Sequence, residues 1–435
     1  MKEKQGISSL APNTQRAFYD IWVESRVRKN RRKFQIATLL MVIASMLVIF
    51  AFVLTAWNLT TSAAPLDRTP VPAAQVATRV QKPTLTPTQQ ATPSPQISPQ
   101  IASQIDSLLE NKASQQQFSG SVLIAINGQV LLSKGYSMAD WNKNIPNTAQ
   151  TRFYLGSVTK QFTAMGILIL QEQGKLNVHD PLCKYIQPCP PPWQPLTIHE
   201  LLTHTSGIPQ LDDSQLSGSS PQAWMNSYDN VPLEFTPGTQ FDYCSVCFQI
   251  LGYVIQQASG KPYSEFIEES ILDPLQMKHT GFGSDYYYSL TNHATGYASW
   301  QVPAMQLGWD VDPQWSFLFG SGLMQSTVGD LYIWDQALYT QTLVSRQTLN
   351  EAFTEYDATS EFAGSGYGYG WFIAKSPVRG HRLIWHDGRI DGFRTYIGRY
   401  VDDHVTIIFL SNLASLDELA LAQQIQQIVF ANYHK

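Results

Sequence analysis

Residues Phe34 to Trp57 form a run of 24 positions without one charged side chain, dominated by Ile, Leu, Val, Met, Ala and Phe. A helix of that length reaches across the hydrocarbon of a bilayer. The run divides the chain, because whatever packs into a globule must do so on one side of it. The arm before it, residues 1–33, carries nine Lys and Arg against three acidic residues. That is +6, against −11 for the rest of a 435-residue chain whose total is −5. Basic charge just before an apolar span keeps the N-terminus in the cytoplasm, so residues beyond about 60 are expected outside it. A basic arm also suits nucleic acid, but its place against the apolar run accounts for it, and no nucleic-acid partner is expected. A secretory leader has a shorter apolar core and a shorter basic lead. Thr61-Ser62-Ala63 is only a weak cleavage site, so the run reads as an uncleaved anchor over 34–57.

Between residues 60 and 100 stand eight Pro among Thr, Gln, Ser and Ala. Such a stretch cannot pack a core and reads as an extended, partly stiff linker over 58–100. Globular patterning starts at Ile101. Ile101, Ile105, Leu108 and Leu109 make a helical stripe. Ser121 to Ile126 and Gln129 to Ser133 flank Asn127-Gly128, a type I′ hairpin signal. Helices are expected over the apolar run from Phe162 to Leu170, over Thr197 to Thr203, and over Gln249 to Ala258, stopped by Gly260. Thr327 with Asp330 reads as a capping box before a helix over Leu331 to Leu338. The end is strand-rich, with Tyr369 to Ala374, Arg382 to His386, Phe393 to Arg399 and Val405 to Leu410, closed by a helix over Leu416 to Tyr433. An N-terminal hairpin, central helices, then a meander and a helix predict one α+β domain over 101–435.

The chemistry begins at Ser157-Val158-Thr159-Lys160, at the head of the Phe162 helix. Residues three apart share a helix face, so an amine stands beside a hydroxyl. Ser is a poor nucleophile until a neighbouring base takes its proton, and a desolvated Lys can be that base. Alone, this is a Ser near a helix start and a solvated Lys. Three later segments change the weight: Leu201-Leu202-Thr203-His204-Thr205-Ser206-Gly207-Ile208, Phe241-Asp242-Tyr243-Cys244-Ser245, and His386-Asp387-Gly388-Arg389-Ile390-Asp391-Gly392-Phe393. Gly320-Ser321-Gly322-Leu323 lies between the last two.

In order and separation these segments resemble the serine β-lactamase-like superfamily, and more narrowly its class C β-lactamase, D-alanyl-D-alanine carboxypeptidase and esterase branch. The resemblance spans about residues 101–435. It implies a β-lactamase/transpeptidase-like domain, with an antiparallel sheet and a helical subdomain, and a serine hydrolase that needs no cofactor or metal. Its substrate would be a small molecule or a peptide: a β-lactam, a D-alanyl peptide or a small ester. Carried over, Ser157 is the acylated nucleophile, and Lys160 with Tyr243 the base system. Ser245, His386 and Gly388 flank the substrate, and the backbone N–H groups of Ser157 and Arg389 face the oxyanion. An adjacent cation makes Tyr a plausible base, and each oxyanion donor is worth about 3 kcal/mol.

Two positions depart from the family pattern. Tyr243-Cys244-Ser245 replaces Tyr-Ser-Asn or Tyr-Ala-Asn, and a Ser hydroxyl lacks the donor–acceptor pair of an amide. That weakens the case for efficient β-lactam hydrolysis and admits a protein that is acylated without turnover. Asp387 replaces a Thr, and its charge beside the cleft would repel a substrate carboxylate unless Arg389 offsets it.

Other features stay ordinary. His199 and His204 imitate a zinc-protease pair but are five apart rather than four, which turns them to different faces; His199 reads as a surface residue and His204 as a loop hydrogen-bonder. Trp300, Trp309, Trp315 and Tyr286 to Tyr288 serve either a substrate groove or packing. Cys183 and Cys189 close a short loop and are expected to form a disulfide. Cys244 and Cys247 have redox-motif spacing without the surrounding βαβ unit, leaving Cys244 as a redox handle or a small buried hydrophobe.

Overall fold

A computed structural model of the chain describes residues 99–433 apart from 212–214, 217–219, 284–291, 305–312, 360–363 and 379. The basic arm, the anchor over 34–57 and nearly all of the linker lie outside the described residues, as do Trp309 and Tyr286 to Tyr288. No described helix is long and apolar enough to cross a membrane.

The domain falls in a unit running from Gln90 to Lys435. Its frame is an antiparallel sheet of eight strands: β1 (Gly120–Ile126), β2 (Gln129–Tyr136), β3 (Asp357–Ala358), β4 (Ser365–Tyr367), β5 (Phe372–Lys375), β6 (Arg382–Ile390), β7 (Phe393–Tyr400) and β8 (Val405–Ser411). Their spatial order is β2-β1-β8-β7-β6-β5-β4-β3. Asn127 and Gly128 both hold positive φ, +51° and +76°, the requirement of the type I′ turn. Every residue of β1 and β8 is buried, because both faces of the sheet are covered and alternate side chains enter different cores. Val122, Ile124, Ile126, Ile407 and Phe409 join Ile101, Ile105 and Leu109 of helix α1 (Pro99–Ser114), and Ile425, Val429 and Phe430 of the C-terminal helix. Leu123, Ala125, Ile408 and Leu410 instead enter the core of the helical layer.

That layer is built around α2 (Lys160–Glu172), buried from Lys160 through Leu170, and α3 (Ser245–Ser259), which ends at Gly260 in the left-handed conformation. Helix α4 (Val328–Ala337) starts where Thr327 accepts the Asp330 N–H, and α5 (Glu418–Asn432) closes the chain. Arg399 of β7 and Asp335 of α4 join across the layers at 2.6 Å, both buried.

Two strand boundaries near the site differ from the sequence reading. The strand expected over Tyr369 to Ala374 is split: Gly368 to Trp371 form the turn of a β4–β5 hairpin, closed by the Gly368 N–H on the Trp371 carbonyl. Gly370 turns there with φ +78°, where an added Cβ would meet the Lys160 carbonyl at 2.9 Å. The strand expected to stop at His386 continues to Ile390, so the whole His386-Asp387-Gly388-Arg389 segment lies on β6.

Candidate active site

Ser157 sits on a 3-10 turn, Gly156–Thr159, that runs straight into α2. The turn is pressed against β6 backbone to backbone. Gly156 holds φ +54°, and a Cβ on it would lie 2.7 Å from the Arg389 nitrogen; one on Gly388 would lie 2.0 Å from the Leu155 carbonyl. Only glycine fits either position. Thr395 Oγ1, on β7, donates to the same Leu155 carbonyl at 2.6 Å. On the other side the Leu155 N–H bonds the Met324 carbonyl, and the Met324 N–H bonds Thr159 Oγ1 at 3.3 Å. The nucleophile candidate is thus held between the sheet and the 320–326 segment, with the Arg389 backbone beside Gly156.

Lys160 is fully buried. Its ammonium donates to Ser157 Oγ at 2.9 Å and to the Ser321 carbonyl at 2.8 Å, and reaches Ser245 Oγ at 3.5 Å. It also lies over the Tyr243 ring, 4.8 Å from the centroid, and near Phe248. The structure therefore gathers Ser157, Lys160, Tyr243 and Ser245 at one point. The Ser321 carbonyl was legible in the sequence only as part of a recurrent segment; its reach to Lys160 over 161 positions carries no local signal.

His204 is the functional neighbour that the sequence reading undervalued. It is the loop hydrogen-bonder expected, and it is fully buried. Its carbonyl accepts the Asp242 N–H at 2.9 Å and its Nδ1 accepts the Cys244 N–H at 3.0 Å. Its ring packs on that of Tyr243 at 4.4 Å. One histidine thus holds the chain on both sides of Tyr243 and the ring between them. Burial, with Lys160 and His386 nearby, pushes its pKa well below the ordinary histidine range, so the ring is neutral and its proton sits on Nε2. His199 is half-buried rather than on the surface, and meets the Tyr369 hydroxyl at 2.9 Å.

His386 is also buried and neutral. Burial first, then the Lys160 charge, lowers its pKa to about 3. Nδ1 donates to the Asp387 carbonyl at 2.5 Å, which leaves Nε2 to accept from the Tyr367 hydroxyl at 3.1 Å. Its ring lies 6.2 Å from that of Tyr243. The Arg389 side chain turns toward α5, with Nε 2.5 Å from Glu418 and 3.3 Å from Asp387. The Asp387 charge is therefore paired at the rim.

Two disulfides are present, Cys183–Cys189 and Cys244–Cys247. The second corrects the view of Cys244 as a small hydrophobe: it is bonded, at the head of α3, between Tyr243 and the rest of that helix. No group of side chains suited to a metal occurs among the described residues. Trp300 packs edge-on against Trp141, and Trp315 stacks with Phe317.

A hydroxyl touching a buried amine, a phenol over that amine and a strand edge beside it make a site suited to acyl transfer. Comparisons with known proteins agree. The Beta-lactamase family model matches residues 105–430. Penicillin-binding protein 4* of Bacillus subtilis (strain 168) is 29% identical over 324 residues, 70% of either chain. The structure of the octameric penicillin-binding protein homologue from Pyrococcus abyssi superposes with a TM-score of 0.67 at 26% identity, over 76% of this chain and 77% of that one. That of FmtA from Staphylococcus aureus gives 0.62 at 25%, over 77% and 90%. With the fold, the motifs and a family match over most of its length, the chain belongs to the Beta-lactamase family of the serine β-lactamase-like superfamily.

Proposed function

We propose that this protein is a membrane-anchored, extracytoplasmic serine hydrolase that acts through an acyl-Ser157 intermediate on an ester or amide. The observation that carries the reading is the 2.9 Å contact between Nζ of the buried Lys160 and Oγ of the half-buried Ser157. Lys160 and Tyr243 share the proton of Ser157 as its oxygen attacks the substrate carbonyl. The backbone N–H groups of Ser157 and Arg389 receive the oxyanion. The proton passes to the leaving group, and water, activated by the same pair, releases the acid and restores Ser157. The anchor and the outward placement of the domain rest on residues 1–57 of the sequence.

One observation favours a second reading, that of a penicillin-binding or sensor-like protein that keeps its acyl group. Ser245, not an amide residue, stands 3.5 Å from Lys160, and its hydroxyl lacks the donor–acceptor pair of an amide. Intact-mass measurement over time separates the two. Full-length protein in detergent is mixed with a penicillin or an activated ester, with Ser157→Ala alongside. An adduct that appears and decays in the wild type and is missing from Ser157→Ala marks the hydrolase; one that persists marks the second reading. An adduct of equal size on Ser157→Ala would rule out Ser157 as the nucleophile.

A further inference from the structure

We propose that the Cys244–Cys247 disulfide is a second reactive site of this protein, open to exchange with a dithiol reductant, and that its state sets the placement of Tyr243 and Ser245 around Lys160. The claim about placement rests on the acyl-Ser157 reading; the exchange itself does not.

The two sulfurs close a four-residue loop at the start of the fifteen-residue helix α3. Both have hydrogen-bond donors at hand. The Cys247 N–H points at Cys244 Sγ at 3.1 Å. Ser206 Oγ lies 3.1 Å from Cys247 Sγ. That hydroxyl already accepts the Ile208 N–H at 3.2 Å, which frees its own proton for Cys247. A helix N-terminus and fitted donors favour thiolates, so each sulfur has a means of leaving as one. Both residues are buried, Cys244 with 5% of its residue surface left and Cys247 with none, so a local opening that admits a reductant reaches the bond from the Cys244 side.

A thiolate of the reductant attacks Cys244 Sγ, the Cys244–Cys247 bond breaks, and Cys247 leaves as a thiolate held by Ser206. The reductant's second thiol then attacks its own sulfur in the mixed disulfide and releases Cys244. The reductant departs as a disulfide, and the protein gains two electrons and two protons.

Two thiols cannot stay at bonding distance, and these lie in a packed wall with Ile208, Val246 and Phe248, all buried. The segment must therefore shift. Tyr243 precedes Cys244, and Ser245 lies inside the loop. The Cys244 N–H anchors this segment to His204, so a shift at Cys244 pulls on the contact that seats Tyr243. A displacement of about 1 Å at catalytic groups costs on the order of 10²-fold in rate.

The test uses the full-length protein in detergent, treated with dithiothreitol under native conditions. Free thiols are alkylated and mapped by mass, and the rate of acylation by an activated ester is read before reduction, after it and after reoxidation. Alkylation at Cys244 and Cys247, with a fall in rate of at least tenfold that reoxidation restores, is expected. Cys183→Ala/Cys189→Ala keeps this sensitivity, and Cys244→Ala/Cys247→Ala is insensitive to reductant. No alkylation at Cys244 and Cys247 overturns the exchange site; full alkylation with an unchanged rate overturns its control of the catalytic groups. Protein that is never acylated in the oxidised form defeats the serine-hydrolase reading, and the alkylation pattern still decides the exchange.

Discussion

His386 shows how much one buried side chain can say about the site around it. The Asp387 carboxylate stands 3.9 Å from its Nδ1, yet burial and the Lys160 charge outweigh it. Its pKa of about 3 in the folded protein contrasts with the ordinary value near 6.5 in an unfolded chain. Between these values the unfolded chain holds a proton that the native protein lacks. Stability therefore rises with pH across that window, is complete above it, and is lost as pH falls toward about 3. His204 acts with the same sign. His386→Asn should lessen the loss of urea stability between pH 7 and about 4.5, by up to about 1.4 kcal/mol per pH unit, and His204 should keep it from vanishing. Equal slopes in wild type and variant would mean that His386 is charged in the folded protein. The same lowered pKa means that His386 adds no second positive charge beside Lys160 in the native protein.

At the scale of elements, α4 and the sheet are joined by the Asp335–Arg399 pair. Asp335 accepts from Arg399 Nε and from Thr406 Oγ1, both at 2.6 Å, and the guanidinium lies over the rings of Tyr339, Phe353 and Trp371. Asp335→Ala leaves a cation buried without its anion, a loss of about 3–5 kcal/mol. Asp335→Leu with Arg399→Met removes both charges and should recover most of it; chemical denaturation of the three proteins checks this. A double variant no more stable than Asp335→Ala would show that shape, not charge, joins the layers. The pair also marks where sequence reading stops. The Asn127-Gly128 hairpin, the Gly260 stop and the Thr327 cap are legible because their signals lie within a few residues. Asp335 and Arg399 are 64 positions apart, and nothing local in either announces the other. The same holds for His204 beneath Tyr243 and for Tyr367 on His386. The β4–β5 hairpin hides for another reason. Its Tyr and Trp residues promise a strand, yet Gly370 takes a left-handed turn because α2 comes too close for a side chain. Motif order announced Ser157 and Lys160 together; the Cys244–Cys247 bond needed coordinates.

For the whole molecule, the question is which part of the chain carries the fold. The described domain begins with α1, and Ile101, Ile105 and Leu109 of that helix are fully buried in the core they share with α5 and the sheet. Removing them would strip apolar surface worth roughly 2–3 kcal/mol per side chain, so a chain starting at Gly120 should fail to fold stably. A chain starting at Gln90 keeps all of α1 and should melt as the full-length domain does and be acylated at the same rate. Location should separate the two long forms. The full chain, with Phe34 to Trp57, should sediment with membranes, resist alkaline extraction and dissolve in detergent. The shorter form should stay in the supernatant, because its surface has no apolar run of that length to bury. Membrane sedimentation of the shorter form would place the attachment within the folded domain. Release of the full chain by alkali would reduce residues 1–57 to a peripheral contact through the basic arm. Equal acylation with different location would establish that anchor and catalyst are separable parts, joined by a Pro-rich spacer that sets only the reach of the site from the membrane.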